Sequence, residues 1–299
     1  MTAVGGFRSG FVVLAGRPNV GKSTLLNRLV GQKIAITASV PQTTRTRLQG
    51  VLTRPEAQIV FVDTPGIHDP RHRLGAKMVR DARGALTDAD VVLFVVDGSE
   101  GVTRDDEAVA AALKAASRPT VVAINKMDRV NPAALAAVEA HLQRLGTFET
   151  VISISAAAGT NVERLVEAVT ALLPEGPQYF PPEMVTDQPE QFLVRELIRE
   201  QAIAMTREEL PHSVAVEIEE FAPRPGKDLT YIRATLHVER DSHKKMLIGR
   251  EGRLLKEIGQ RSRREIEALL GRHVFLDLWV KTSKAWRDKD ELIRALYPE

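Results

Sequence analysis

Residues 10–24 read GFVVLAGRPNVGKST. The apolar run Gly10 to Ala15 passes into the turn Gly16-Arg17-Pro18-Asn19-Val20-Gly21-Lys22-Ser23, and Ser23-Thr24-Leu25-Leu26 then opens a helical pattern. The turn matches GxxxxGK[ST], and strand, glycine-rich turn and helix in this order form a cradle for a triphosphate. Glycines let backbone N–H groups curl around the phosphates, Lys22 neutralises the β- and γ-oxygens, and Ser23 offers its hydroxyl to Mg²⁺. The positive N-terminal end of the helix faces the same charge. Residues Gly16 through Thr24, Val20 included, are the expected nucleotide contacts.

Three further strand-end motifs surround this loop. Asn125-Lys126-Met127-Asp128 follows the apolar run Thr120 to Ile124, at the edge where open α/β sheets bind ligands. A carboxylate at Asp128 can accept both N1–H and the 2-amino group of guanine. Adenine offers neither donor, and the loss of that match costs a few kcal/mol, enough to reject it. Asn125 braces the loop and the Lys126 stem covers a face of the base. Asp63-Thr64-Pro65-Gly66 follows the run Gln58 to Val62, which places Asp63 to hold Mg²⁺ through water and the Gly66 N–H to meet a γ-phosphate. In the polar segment Gln42-Thr43-Thr44-Arg45-Thr46-Arg47 one threonine supplies a second hydroxyl to Mg²⁺, and Thr44 is assigned rather than Thr43. The metal set is thus Ser23, Thr44 and Asp63. Ser153-Ile154-Ser155-Ala156-Ala157 ends another strand, where the Ser155 and Ala156 backbone can meet guanine O6.

Five elements in this order, GRPNVGKS, QTTRT, DTPG, NKMD and SAA, resemble the G1 to G5 boxes of the translation-factor-related class of GTPases. The resemblance implies GTP and GDP as ligands, Mg²⁺ as cofactor, and Lys22, Thr44, Asp63 and Gly66 as the residues of hydrolysis. One position departs from Ras-like members. Ile67 stands where they carry a water-orienting glutamine, so intrinsic turnover is expected to be slow, on the order of 10⁻⁴ to 10⁻² s⁻¹. In related glutamine-less members an asparagine at the place of Asn19 helps to hold a potassium ion. Asn19 is carried over as that catalytic residue, with bracing of the loop as its alternative role.

At 299 residues a single core would be unusually large, and two domains are expected. The chain has no cysteine, which excludes disulfides and thiolate zinc sites and fits a reducing, cytoplasmic setting. No stretch approaches the roughly 18 apolar residues that span a bilayer. A soluble protein is expected, whose membrane contact, if any, is peripheral. Apolar strands near 10–15, 58–62, 90–96, 119–124 and 150–154 alternate with helical patterns near 22–30, 73–87, 103–116, 131–145 and 161–173. This alternation predicts a doubly wound, mostly parallel α/β sheet, with a strand at 47–53 pairing antiparallel at its edge. From Pro174 to Pro189 five prolines interrupt the pattern, a density that neither helix nor central strand accepts. The expected organisation is a nucleotide domain over 1–175, a linker over 176–189 with the boundary near 180, and a second domain over 190–299.

That second domain predicts helix (190–207), strands (213–221, 229–238), two helices, the latter at 251–270, a strand (273–280) and a helix (285–297). Between the middle helices lies LIGREGRLLKEIG, in which Gly249-Arg250-Glu251-Gly252 allows a phosphodiester to approach backbone N–H groups. Residues 181–299 carry 21 Lys/Arg against 22 Asp/Glu. The segment 240–264 alone carries nine basic against three acidic residues, so positive charge is focused around the GxxG turn. Lys244, Lys245, Ile248, Gly249, Arg250, Glu251, Gly252, Arg253 and Lys256 form the expected RNA contact. A solvated helix face with pairs such as Arg253–Glu257 is the plainer reading of these charges.

This order of elements resembles an α+β type II KH domain, and its union with a G domain resembles the bacterial Era GTPases over nearly the whole chain. The resemblance implies a monomer that binds 16S rRNA near its 3′ end rather than DNA, and assists assembly of the 30S ribosomal subunit. The competing reading is an RNA-binding assembly protein whose nucleotide is mainly structural. Other tempting residues are read plainly. His68 and His72 are loop residues, Trp279 packs in the core or at an interface, and Asp105, Asp106 and Glu107 form the acidic first turn of a helix.

Overall fold

Strands β3 (Ala57–Asp63), β4 (Val91–Asp97) and β5 (Thr120–Asn125) are buried along their whole length, and β1 (Arg8–Ala15) along most of its own. Apolar on both faces, they need helices on both. They form a six-stranded sheet in the order β2-β3-β1-β4-β5-β6, closed by β2 (Leu48–Thr53) and β6 (Thr150–Ser153). All pairings are parallel except that of β2 with β3, as the sequence predicts. Five helices surround it, α1 (Lys22–Val30), α2 (Arg73–Asp88), α3 (Arg104–Ala116), α4 (Pro132–Leu145) and α5 (Val162–Leu172). Ala82 and Leu86 of α2, Val109 and Leu113 of α3, and Val138 and Leu142 of α4 share one core with Phe94, Val122 and Ile124. Helix α1 lies over β2 and β3, and α5 over β1, β4 and β5.

This computed structural model describes residues 6–38, 40, 43–70, 72–206, 210–226 and 228–297. Gln42 of the QTTRT box lies outside them. The chain divides into two compact units. One comprises Met1–Ala35, Gln42–Arg71 and Gly75–Asp187, and the other Ile36–Pro41, His72–Leu74 and Gln188–Glu299. The division after Asp187 falls beyond the expected position near 180, because the proline-rich segment is tied to the first unit. Gln58, fully buried on β3, accepts from the N–H groups of Tyr179 and Phe180 at 2.7 and 2.9 Å and donates to Phe180 O at 2.8 Å. Val51 N donates to Val185 O at 2.9 Å, and Thr186 Oγ1 to Gln49 O at 2.6 Å. The exposed edge of β2 is thereby covered.

The second unit holds α6 (Glu190–Ala204), α7 (Leu210–Ser213), β7 (Ala215–Pro223), β8 (Thr230–Val238), α8 (Asp241–Ile248), α9 (Arg253–Leu270), β9 (Val274–Thr282) and α10 (Asp290–Leu296). Its sheet runs β7-β8-β9, antiparallel then parallel. Ile198, Ile232, Leu236, Leu247, Ile258, Ile266 and Val280 form its core. Three expectations are corrected. The short α7 precedes β7. The single helix expected at 285–297 is a 3₁₀ turn at Trp286–Asp288 followed by α10. The break is Lys289, extended at φ −107° and ψ 109° between the two, and Trp286 is fully buried with its Nε1 donating to Ser213 O at 2.8 Å. Trp279 is not core, being 60% exposed. The period of two that turns Val280 inward turns its neighbour outward.

Replacing Gln58 by Ala removes the amide that holds the 179–180 backbone. Stability is expected to fall by about 1–3 kcal/mol, with faster protease cleavage between residues 177 and 186, read by urea unfolding and limited proteolysis.

Candidate nucleotide site and nucleic-acid loop

The phosphate loop leaves β1 where the sheet order reverses between β3 and β4, the position at which such sheets bind ligands. Register brings Asp63 beside Leu14 and Asp97 beside Asn125, so four strand ends meet at one edge. Helix α1 starts at Gly21 (φ 97°) with no side-chain cap on its first N–H groups, which leaves that end of the helix to the loop. Lys22 Nζ donates to the carbonyls of Gly16 at 3.0 Å and Arg17 at 2.9 Å. Burial pulls its pKa down to about 8, partly offset by the charge of Asp63.

Ser23 Oγ lies 2.9 Å from Thr44 Oγ1 and 2.7 Å from Asp63 Oδ2, and Thr44 Oγ1 donates to the same Oδ2 at 3.2 Å. Asp63 is fully buried, which raises its pKa against the opposing pull of Lys22 and the two hydroxyls. Its Oδ1 is buried with no hydrogen-bond partner among the described residues. Two hydroxyls and a carboxylate with one spare oxygen are hard donors of the type that suits Mg²⁺. Beside them, Thr64 Oγ1 donates to Leu14 O at 3.0 Å and Pro65 is buried. A Cβ on Gly66 would stand 2.6 Å from Pro18 N, so only glycine fits this approach. Ile67 is 5% exposed and its side chain belongs to the apolar core, not to the loop surface.

The two motifs expected at the base are drawn together by one amide. Asn125 Nδ2 donates to Val20 O at 2.8 Å, while its Oδ1 accepts from Ala156 N at 2.9 Å. Met127 N donates to Ile154 O at 3.0 Å. Lys126 Nζ reaches Asn19 O at 3.0 Å and Asp97 Oδ2 at 2.5 Å. Asp128 is exposed, and a hydrogen bond from Ser155 holds its carboxyl below the usual range. Three contributors escaped the sequence reading. Asp97, almost wholly buried, anchors Lys126, and its only signal was an acidic residue ending the apolar run VVLFVVD. Arg28 of α1 donates from Nε to Ala156 O at 3.1 Å and also binds Ala157 O. The third is the Ser155 side chain, where only the backbone was expected to act. Asn125→Ala strands Val20 O and Ala156 N together. GDP affinity is expected to fall about 10- to 100-fold, measured by calorimetric titration.

In the second unit, α8 and α9 are separated by the predicted GxxG turn. Gly249 (φ 73°) would press a Cβ to 2.8 Å from Leu254 Cβ, whereas a Cβ on Gly252 (φ 75°) would meet nothing within 4 Å. The first glycine is required by packing and the second faces open space. Glu251 between them is also left-handed (φ 55°), and α9 therefore begins at Arg253 rather than 251. Lys245, Arg250, Glu251, Arg253 and Lys256 are exposed, and Lys244 and Ile248 half-buried. Arg253 pairs with Glu251 at 2.9 Å, while Glu257 pairs with Arg261 at 2.7 Å, instead of the Arg253–Glu257 pair expected from helical spacing. Met246, in the last turn of α8, is 56% exposed.

A family profile described as 50S ribosome-binding GTPase matches residues 11–126, and a KH-domain profile matches residues 209–287. GTPase Era of Halothermothrix orenii is 50% identical over 290 residues, covering 97% of this chain and 98% of that protein. The chain belongs to the Era GTPase family. It is a GTPase with an N-terminal G domain and a C-terminal KH domain, as the five boxes and the GxxG context suggested. A solved structure of an Aquifex aeolicus Era variant bound to GDP·AlF4⁻ superposes with a TM-score of 0.94 at 41% identity, covering 97% of this chain and 99% of that one. Era in complex with MgGDPNP and nucleotides 1506–1542 of 16S ribosomal RNA gives 0.95 at 41% identity, with the same coverage.

Proposed function

We propose that this GTPase is a switch whose KH domain, within residues 190–299, binds 16S rRNA near its 3′ end and assists 30S subunit assembly. The observation that carries the reading is the open, left-handed Gly252 beside exposed Arg250, Arg253 and Lys256, in a chain similar to an Era that was solved with 16S rRNA nucleotides. In this reading Asp128 selects guanine, Lys22 meets the β- and γ-phosphates, and Ser23, Thr44 and Asp63 hold Mg²⁺, which supplies charge neutralisation to the phosphates. Gly66 N–H meets the γ-phosphate. The G domain spans residues 1–175 and the tether 176–189. The protein acts as a cytoplasmic monomer with membrane contact only at its periphery. No helix among the described residues is long and apolar enough to cross a membrane.

Replacing Gly249 and Gly252 together by Asp puts bulk and negative charge where phosphate must meet backbone. RNA binding is expected to fall at least about 100-fold with GTP binding retained, measured on a 16S 3′-end oligonucleotide. GTP turnover unaffected by that RNA in the wild type would favour a nucleotide that is mainly structural.

With Ile67 in the core, charge in the transition state must be met by another group. Asn19, left-handed at φ 65° and tied through its carbonyl to Lys126, is the residue through which potassium would act. Hydrolysis is expected to be faster in KCl than in NaCl at equal ionic strength, the difference vanishing in Asn19→Ala. Equal rates in the two salts would leave the RNA as the activator.

A further inference from the structure

Asp106 has a second partner besides the helix it starts. It is wholly buried in the first turn of α3. Its Oδ2 accepts from Thr103 N at 2.9 Å and Thr103 Oγ1 at 2.8 Å, which closes the helix cap. The same oxygen accepts from Arg17 Nε at 3.2 Å, across 89 residues of sequence. Arg17 is itself buried, and its Nη2 donates to Glu100 at 2.6 Å. Glu100 is 60% exposed and its pull is screened by water. Asp106 is the desolvated partner, and its bond to Arg17 is the contact with geometric force.

The consequence lies in the backbone that this side chain carries. The carbonyl of Arg17 accepts from Lys22 Nζ at 2.9 Å. The next residue, Pro18, is the surface on which Gly66 rests, since an added Cβ there would lie 2.6 Å from Pro18 N and 2.7 Å from Pro18 Cδ. With no slack between Pro18 and Gly66, a shift of Arg17 changes where Gly66 can stand. We propose that Asp106 is a positioning residue for GTP hydrolysis, acting through Arg17 and Pro18 to set the place of the Gly66 N–H against the γ-phosphate. This rests on the reading of Gly66 as a γ-phosphate contact.

The test uses the full-length protein. Asp106→Asn keeps an oxygen for the Thr103 N–H and removes the charge opposite Arg17. Its kcat is expected to fall on the order of tenfold, as for small misplacements of a positioned group, with GDP affinity within about threefold of wild type. Thr103→Ala weakens the cap and spares the Arg17 pair, so Tm should drop while kcat holds. Arg17→Ala should slow turnover as Asp106→Asn does, and the double variant should be no slower than Arg17→Ala alone, since both act through one contact. Normal turnover in Asp106→Asn, additive losses in the double variant, or an equal kcat loss in Thr103→Ala would each overturn the clamp. Wild-type turnover in Gly66→Ala would instead overturn the reading of Gly66, and the proposal with it.

Discussion

The carboxamide of Asn125 joins three segments that the chain keeps far apart. It donates a hydrogen bond to Val20 O of the phosphate loop and accepts one from Ala156 N–H after β6, while its own backbone ends β5. Two of those segments are loops, which have little order of their own, and the third is the rigid end of β5. One buried amide with both ends satisfied turns them into a single surface. An amide suits this place because it donates and accepts at once, where a carboxylate or an ammonium would leave one neighbour unpaired.

Around that amide, charge is arranged by desolvation. Lys22 and Asp63 are both buried and each works against the other's loss of water, with Lys22 near pKa 8 and Asp63 raised. Among the described residues neither has a close ion pair of the kind that joins Arg17 and Asp106. The first pair sits at the uncapped start of α1, the kind of helix end that attracts anions. The second pair joins the phosphate loop to the first turn of α3. The contrast separates buried charges held apart from buried charges joined in an ion pair.

The KH domain uses the opposite design. Its glycine turn lies on the surface, its arginines and lysines stay largely in water, and the nearby ion pairs Arg253–Glu251 and Arg261–Glu257 are exposed. Such pairs are worth little to stability and are readily exchanged for phosphate. The turn offers an open backbone at Gly252 and a locally positive field.

Both fold classes, most of the order of elements and the main loops were legible in the chain, the short α7 and the break before α10 being the exceptions. Each rests on a short run of residues whose composition and flanking strand or helix act locally. That is why GRPNVGKS, NKMD and LIGREGRLLKEIG are readable from residue order alone. Even the outward turn of Trp279 was present in the alternation with Leu278 and Val280, though its bulk argued for the core. The sequence could not tell that Asp106 reaches Arg17, that Asp97 anchors Lys126, that Arg28 holds the loop after β6, or that Gln58 straps residues 179–180. These contacts join positions 29 to 128 residues apart. No periodicity records them, because they exist only once parallel strands have brought distant chain segments to the same edge and burial has removed the water that would otherwise satisfy their polar groups.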